Sequence, residues 1–218
     1  LSHIREVDAI IHLVRCFESD KITHVNSKIN PVEDLETIKT EIILSDIDVI
    51  QKKLDKGKKK LLDEKEVKLL EDKLKQLNEG NEITTNDKKE RKFLSGLGLL
   101  SIKPKIIVCN VDEDGLAKGN TFTESVKKKY SNEIVVTICA DIEDQIMGLD
   151  NNERETFMKE IGLNKTGLNQ LIKEGYDLLD LETFFTSGPE ESRAWTVKRN
   201  TLAPKAASVI HTDFEKNF

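Results

Sequence analysis

Asn110 and Glu113 stand in the segment PKIIVCNVDEDG, residues 104–115, directly behind an apolar run from Ile106 to Cys109. Such a run, turning abruptly to Asn and acids, is how a buried strand ends at a loop. An Asn side chain both donates and accepts hydrogen bonds, and a Glu carboxylate accepts them, so the pair could read a polar ligand. In open α/β sheets ligands sit in the loops at strand C-termini, where this segment falls. The same residues also suit an ordinary strand end, because Asn and Asp favour turns. The pattern alone leaves both readings open.

Other chemistry is excluded more firmly. No GxxxxGK[ST] and no GxGxxG occur. Gly96 and Gly98 in SGLGLLSIK lack the Lys-Ser/Thr ending, and GLNKTG at 162–167 has the wrong order. Nothing in these residues can cradle a triphosphate and hold Mg2+ through a loop hydroxyl. His3, His12, His24 and His211 form no i, i+4 pair and no HExxH, so no metal site is assigned. Asp141, Glu143 and Asp144 read as a solvated helix start, not a metal cluster. Cys16, Cys109 and Cys139 lack CxxC spacing and interrupt apolar runs, as buried reduced thiols do.

The 218 residues allow one large domain or two small ones. Charged residues make up 34% and aromatics 5%, a composition of long solvated helices beside a modest core. A net charge of −6 argues against wholesale wrapping of nucleic acid, although 34 Lys and Arg leave room for a local basic face. No run approaches the roughly 18 apolar residues of a membrane span, so no membrane partner is expected. The chain opens on LSHIREVDAIIHLVRCF without Met and closes on HTDFEKNF; it reads as a piece of a longer protein.

The elements that must position the loop follow from periodicity. AIIHLVRCF, residues 9–17, reads as a strand. From Pro31, a helix start, the residues Leu35, Ile38, Ile42, Ile43, Ile47, Ile50 and Leu54 give one helical stripe. Val67, Leu70, Leu74 and Leu77 give a second. The short basic stretch KGKKK (56–60) between them suggests an antiparallel helical hairpin, either packed on a common core or protruding as a coiled-coil arm. A third helix is expected over 86–99, capped near Thr84, Thr85 and Asn86. PKIIVCN, a helix over 123–130 and EIVVTICA (133–140) make a strand–helix–strand unit of a parallel sheet. Helices are expected at about 151–161 and 167–179. After Leu181 the texture changes, and a β-hairpin around Ser187–Pro189 and a short helix at 204–210 follow. The domain boundary is placed near Asp180.

The stretches HIREVDAIIHLVRCFE, CNVDEDG, ICADIE and RAWTVKRNTLAPKAASVIHTDFEKNF closely resemble, in order, the Obg-like ATPase or YchF family of translation-factor-related P-loop NTPases. The resemblance implies a fold class: an α/β P-loop NTPase sheet of GTPase type, interrupted by an antiparallel coiled-coil arm and followed by a partial β-grasp TGS domain. Residues 1–30 and 100–180 would form the nucleotide-binding domain, 31–99 the arm and 181–218 the start of the TGS domain. The connections around 56–64 and 80–86 look shorter than the family's usual ones.

The resemblance also gives the loop a role. GTPases of this class read guanine with NKxD; here Asn110, Val111, Asp112 and Glu113 take those places. Val111 has no Lys stem to cover the base, and Glu113 is one methylene longer than Asp. In the family this variant accompanies ATP use. Asn110 would then bond the adenine edge, Val111 pack on the ring or offer backbone groups, Glu113 contact the base, and the Ala140 N–H face it. ATP (or GTP) with Mg2+ is the implied cofactor, with the Mg2+ ligands expected upstream of Leu1. No residue is assigned as a catalytic base, and the piece lacking its phosphate loop is expected to be inactive alone. The implied partner is the ribosome through its large subunit, in the cytoplasm and as a monomer. Arg193, Lys198, Arg199 and Lys205 are the candidate RNA or ribosome face, and a solvated face is the bland alternative. Trp195 reads as a core or interface residue. The rival readings are a non-catalytic RNA or ribosome interaction module and a GTPase with a degenerate NKxD loop.

Overall fold

A computed structural model describes residues 3–19, 28–57 and 62–218. The centre of the fold is a parallel sheet of β1 (Ile10–Arg15), β2 (Lys105–Asn110) and β3 (Ile134–Ile138), in that order. Ile10 pairs with Lys105 and Arg15 with Asn110; Ile106 pairs with Ile134 and Asn110 with Ile138. The C-termini of all three strands therefore finish in line. β2 is buried on both faces from Ile106 to Cys109, as a central parallel strand should be. β1 is only half covered. Ile10 and Val14 are buried, but Ile11 and Leu13 on the other face are 55% and 62% exposed.

The crossover from β1 to β2 carries α1 (Pro31–Gly57), α2 (Glu64–Asn78) and α3 (Lys88–Gly96). Asn30 opens α1: its carboxamide oxygen accepts from Glu33 N–H at 3.3 Å, and Pro31 takes the first helical position, where no N–H is needed. Asp63 caps α2 in a reciprocal box with Glu66. α3 is capped by Asp87, whose carboxylate accepts from the N–H groups of Lys89 and Glu90. The Thr84–Asn86 caps expected from sequence are not used, because Thr85 donates instead to Glu90 Oε2 at 2.6 Å. Most of KGKKK and the turn after it, residues 58–61, lies outside the described residues.

Two buried clusters share α1. Leu35, near its start, joins Val14, Cys16, Ile107, Cys109, Val111, Val126, Cys139, Ile142 and Ile146 against the sheet. Ile43, Ile50 and Leu54, further along, join Leu70, Leu77, Ile83, Leu94, Leu99 and Ile102. Ile38 falls between the two and is 44% exposed, so the sequence stripe is interrupted there. Asp46, between Ile43 and Ile50 on α1, is fully buried beside the second cluster. Its carboxylate accepts from Leu100 N–H, Ser101 N–H and the Ser101 hydroxyl at 2.9, 2.8 and 2.7 Å. Arg5 stands 3.8 Å away and also donates to Gly98 O and Ser45 Oγ.

Between β2 and β3 lie α4 (Glu113–Lys118) and α5 (Thr121–Lys129); α6 (Ala140–Gly148) and α7 (Asn151–Glu160) follow β3. A second compact unit, Leu168–Phe218, contains nearly all of α8 (Gly167–Leu178), the antiparallel pair β4 (Leu181–Ser187) and β5 (Ser192–Lys198), α9 (Ala203–Ala207) and α10 (Thr212–Lys216). The hairpin turns where Gly188 N–H donates to Glu191 O, as the Gly-Pro signal predicts. Among the described residues no helix is long and apolar enough to cross a membrane.

Candidate nucleotide-base site

Three loops leave the C-terminal edge of the sheet, and hydrogen bonds tie them together. Cys16 N–H donates to Asn110 O at 2.7 Å, and Val111 N–H donates to Ile138 O at 2.8 Å. The Asn110 carboxamide oxygen accepts from Ala140 N–H at 3.0 Å. Asn110 is thus held by β1 on one side and by the α6 N-terminus on the other. With its oxygen engaged, its Nδ2 is the group left to donate outward.

The neighbours divide their roles by burial. Val111 is 2% exposed and belongs to the sheet core, so its side chain has no free face for a ring. Its N–H is also taken, which leaves its carbonyl. Asp112 caps α4, accepting from Gly115 N–H at 2.8 Å. Glu113 is exposed at the first position of α4 and is in no ion pair with a described residue. Its charge nevertheless reaches the third loop. Cys139 is held above the ordinary thiol range chiefly by burial; the N–H groups of Ile142 and Asp141 oppose that shift, and the carboxylates of Asp141 and Glu113 add to it. Asn110, Glu113 and Ala140 therefore converge at one edge.

Residues that the sequence reading passed over hold this edge in shape. Asn120 caps α5 through Thr123 N–H and donates its own Nδ2 to Cys16 O at 2.7 Å, bridging the first and second loops. Its GNT context signals a helix cap, but the cross-loop bond has no local signal. Gly115 is buried, and a Cβ there would lie 2.8 Å from both Asn120 Nδ2 and Asp112 Oδ1. Arg15 donates to Phe17 O and lies 4.9 Å from the centre of the Phe17 ring. The acidic trio is not uniformly solvated. Asp141 and Asp144 are exposed, but Glu143 turns inward and accepts from Gly167 N–H at 2.6 Å. Among the described residues no His, Cys, Asp and Glu group is arranged to hold a metal ion. The three cysteines are free and buried; a thiol–thiol hydrogen bond raises Cys16 and lowers Cys109.

The four basic candidates lie in the second unit and are mostly compensated. Lys198 donates to Leu179 O, Arg199 is ion-paired with Asp177, and Lys205 with Glu215. Arg193 stacks 4.3 Å from the centre of the Trp195 ring. Trp195 is half-buried and donates to Thr186 Oγ1 at 2.9 Å.

Comparison with known proteins gives one consistent result. A family profile for the C-terminal part of YchF-type GTPases, described as a protein of unknown function (DUF933), matches residues 181–218. Proteins named ribosome-binding ATPase YchF match all of this chain: that of Bacillus subtilis at 41% identity and that of Escherichia coli O157:H7 at 42%. The chain spans 63% and 62% of their respective lengths. The solved structure of the Schizosaccharomyces pombe YchF GTPase superimposes on the whole chain with a TM-score of 0.86 at 29% identity, and 62% of that protein is covered. In sequence from end to end, and in three-dimensional arrangement, the chain is similar to proteins of the YchF family.

Proposed function

We propose that this chain carries the base-reading edge of a ribosome-associated nucleotide-binding protein that binds and hydrolyses ATP. The observation that carries the reading is the bond from Ala140 N–H to Asn110 Oδ1 at 3.0 Å. It orients Nδ2 as a fixed outward donor, suited to a ring-nitrogen acceptor of a purine. Glu113 supplies an acceptor for an exocyclic amino group, and the Val111 carbonyl a second one. Polar groups that a bound base would cover disfavour bases that leave them unpaired. The GTPase reading is kept because a carboxylate at Glu113 also suits guanine N1–H and N2, and because the S. pombe relative is named a GTPase.

Hydrolysis requires a phosphate loop, and we assign it, with the Mg2+ ligands, to the length by which the relatives exceed this chain. β1 is an edge strand of the sheet, so further strands could pair along its open edge, and its Ile11 and Leu13 face is exposed and could be covered by further elements; both support that assignment. When bound, Mg2+ would neutralise charge developing on the transferred phosphoryl group. This chain's part is to hold the base and so fix the nucleotide's position. Residues 1–30 and 100–180 are taken as the nucleotide-binding domain, 31–99 as a coiled-coil arm built on the α1–α2 contact, and 181–218 as the start of a β-grasp TGS domain. The proposed partner is the large ribosomal subunit, met by a cytoplasmic monomer; Arg193, with Lys198, Arg199 and Lys205 once released from their pairs, is a candidate contact.

The test is a fluorescent-nucleotide titration of the gene-length protein in Mg2+, comparing ATP and GTP analogues. Tighter ATP binding that Asn110→Ala weakens by about five- to fiftyfold, the loss of one or two good hydrogen bonds, is expected. Equal affinity in the Asn110→Ala variant would sink the base-reading role, and tighter GTP binding would move the function to a GTPase.

A further inference from the structure

The sequence has 40 acids against 34 basic residues, yet α3 runs KKERKFLSG, with Lys88, Lys89, Arg91 and Lys92 in five positions. At 100° per residue these four occupy one contiguous arc of roughly 160°. All four are exposed, and none is in an ion pair with a described residue. The two acids beside them are engaged elsewhere. Asp87 accepts from the N–H groups of Lys89 and Glu90, and Glu90 accepts from the Thr85 hydroxyl. Lys88 and Lys89 also sit in the first helical turn, where the helix dipole disfavours cations. A basic run placed against that rule is not explained by helix stability. Beside it lies an open groove of about 480 Å³ lined by Lys89, Lys92, Phe93, Gly96 and Leu97. Phe93 is half-buried against the helical core, so its ring is held fixed at the groove.

We propose that this α3 face is an RNA-binding surface, on which the four cations contact successive backbone phosphates of a single-stranded segment and the Phe93 edge of the groove receives a base. Phosphate contacts supply sequence-independent affinity, and aromatic groups in basic grooves accept any base. The choice of RNA over another polyanion rests on the ribosome-associated reading above. The basic candidates of the second unit are largely paired with Asp177, Glu215 and a backbone carbonyl, whereas α3 presents bare charge.

The experiment uses the gene-length protein and a variant carrying Lys88→Gln, Lys89→Gln, Arg91→Gln and Lys92→Gln. Gln is a good helix former at exposed sites, so circular dichroism should be unchanged. Binding to a fluorescein-labelled 16-nucleotide polyuridine is followed by anisotropy across salt. If all four cations meet phosphates, the slope of log affinity against log salt steepens by about 2.8, equivalent to about fiftyfold between roughly 50 and 200 mM salt. The variant is expected to bind at least tenfold more weakly and to lose that slope. An unchanged affinity or slope overturns the proposal. Polyglutamate of equal charge displacing the RNA as well as unlabelled polyuridine does overturns it in favour of an acidic protein partner. Co-sedimentation of the unaltered protein with ribosomes is measured in parallel. Its failure would remove the ribosome reading, while the oligonucleotide result alone decides the α3 face.

Discussion

Replacing Asp46 by Asn isolates the contribution of one buried carboxylate. The side chain is fully buried, and its two oxygens receive Leu100 N–H, Ser101 N–H and the Ser101 hydroxyl. Asn keeps the volume but has one oxygen and one NH2. Whichever way it turns, the NH2 faces a backbone N–H, so one buried donor loses its acceptor and a new donor opposes it. An unsatisfied buried group costs about 1–3 kcal/mol, and removing one member of a buried charge pair about 3–5 kcal/mol. Arg5, about a quarter exposed at 3.8 Å, keeps some solvent screening, which places the expected loss at the low end, about 3 kcal/mol. For a chain of this size that is a fall in Tm of about 6–12 °C. Urea unfolding followed by circular dichroism measures it, with the m-value unchanged. A double-mutant cycle with Arg5→Gln should give a coupling of about 0.5–1 kcal/mol. A loss below about 1 kcal/mol for Asp46→Asn would refute the reasoning, because the three donors would then be finding other partners.

Two more perturbations follow from the loop edge and the sheet. Gly115→Ala puts a Cβ 2.8 Å from Asp112 Oδ1 and Asn120 Nδ2 and 3.1 Å from Val111 Cβ; overpacking of that kind costs about 1–3 kcal/mol, so thermal denaturation should show a clear drop and nucleotide titration a weaker site. His12, on β1, has its pKa lowered from 6.5, first by burial and then by Lys105, with Glu82 opposing. The unfolded chain therefore binds the proton more readily. Stability is full above about pH 6.5 and declines as pH falls through that value toward the lower folded one, and His12→Gln should flatten the decline in urea midpoints between about pH 7 and 5.

The parts of the fold that were legible in the sequence are those governed by local chemistry. β2 could be read because a central parallel strand must be apolar on both faces, and Ile106 to Cys109 are. The β4–β5 turn could be read because Gly188 and Pro189 punctuate it. The edge loop could be located, since polar residues after Cys109 have to leave the sheet. The division of labour within it could not. Whether Val111 faces a ligand or the core depends on the register of β2 against β3, and the Asn110–Ala140 bond joins residues thirty positions apart. Asp46 was equally hidden, because a lone acid in a helical stripe has the same local pattern as a solvated one. The α3 run was visible as letters, but net charge averaged it away; its significance depends on where Asp87 and Glu90 direct their carboxylates. In the same way Arg199 and Lys205 counted as free cations until Asp177 and Glu215 came beside them.

α1 runs 27 residues without an internal proline, one end in the sheet core at Leu35 and the other in the helical core at Leu54. Those residues are nineteen apart, a separation of about 28 Å at 1.5 Å per residue. Such a helix is a lever with its fulcrum at the sheet end, near Leu35. A tilt of about 10° at the sheet end displaces the Leu54 end by about 5 Å, so a change too small to alter any strand pairing is magnified where the helical core begins.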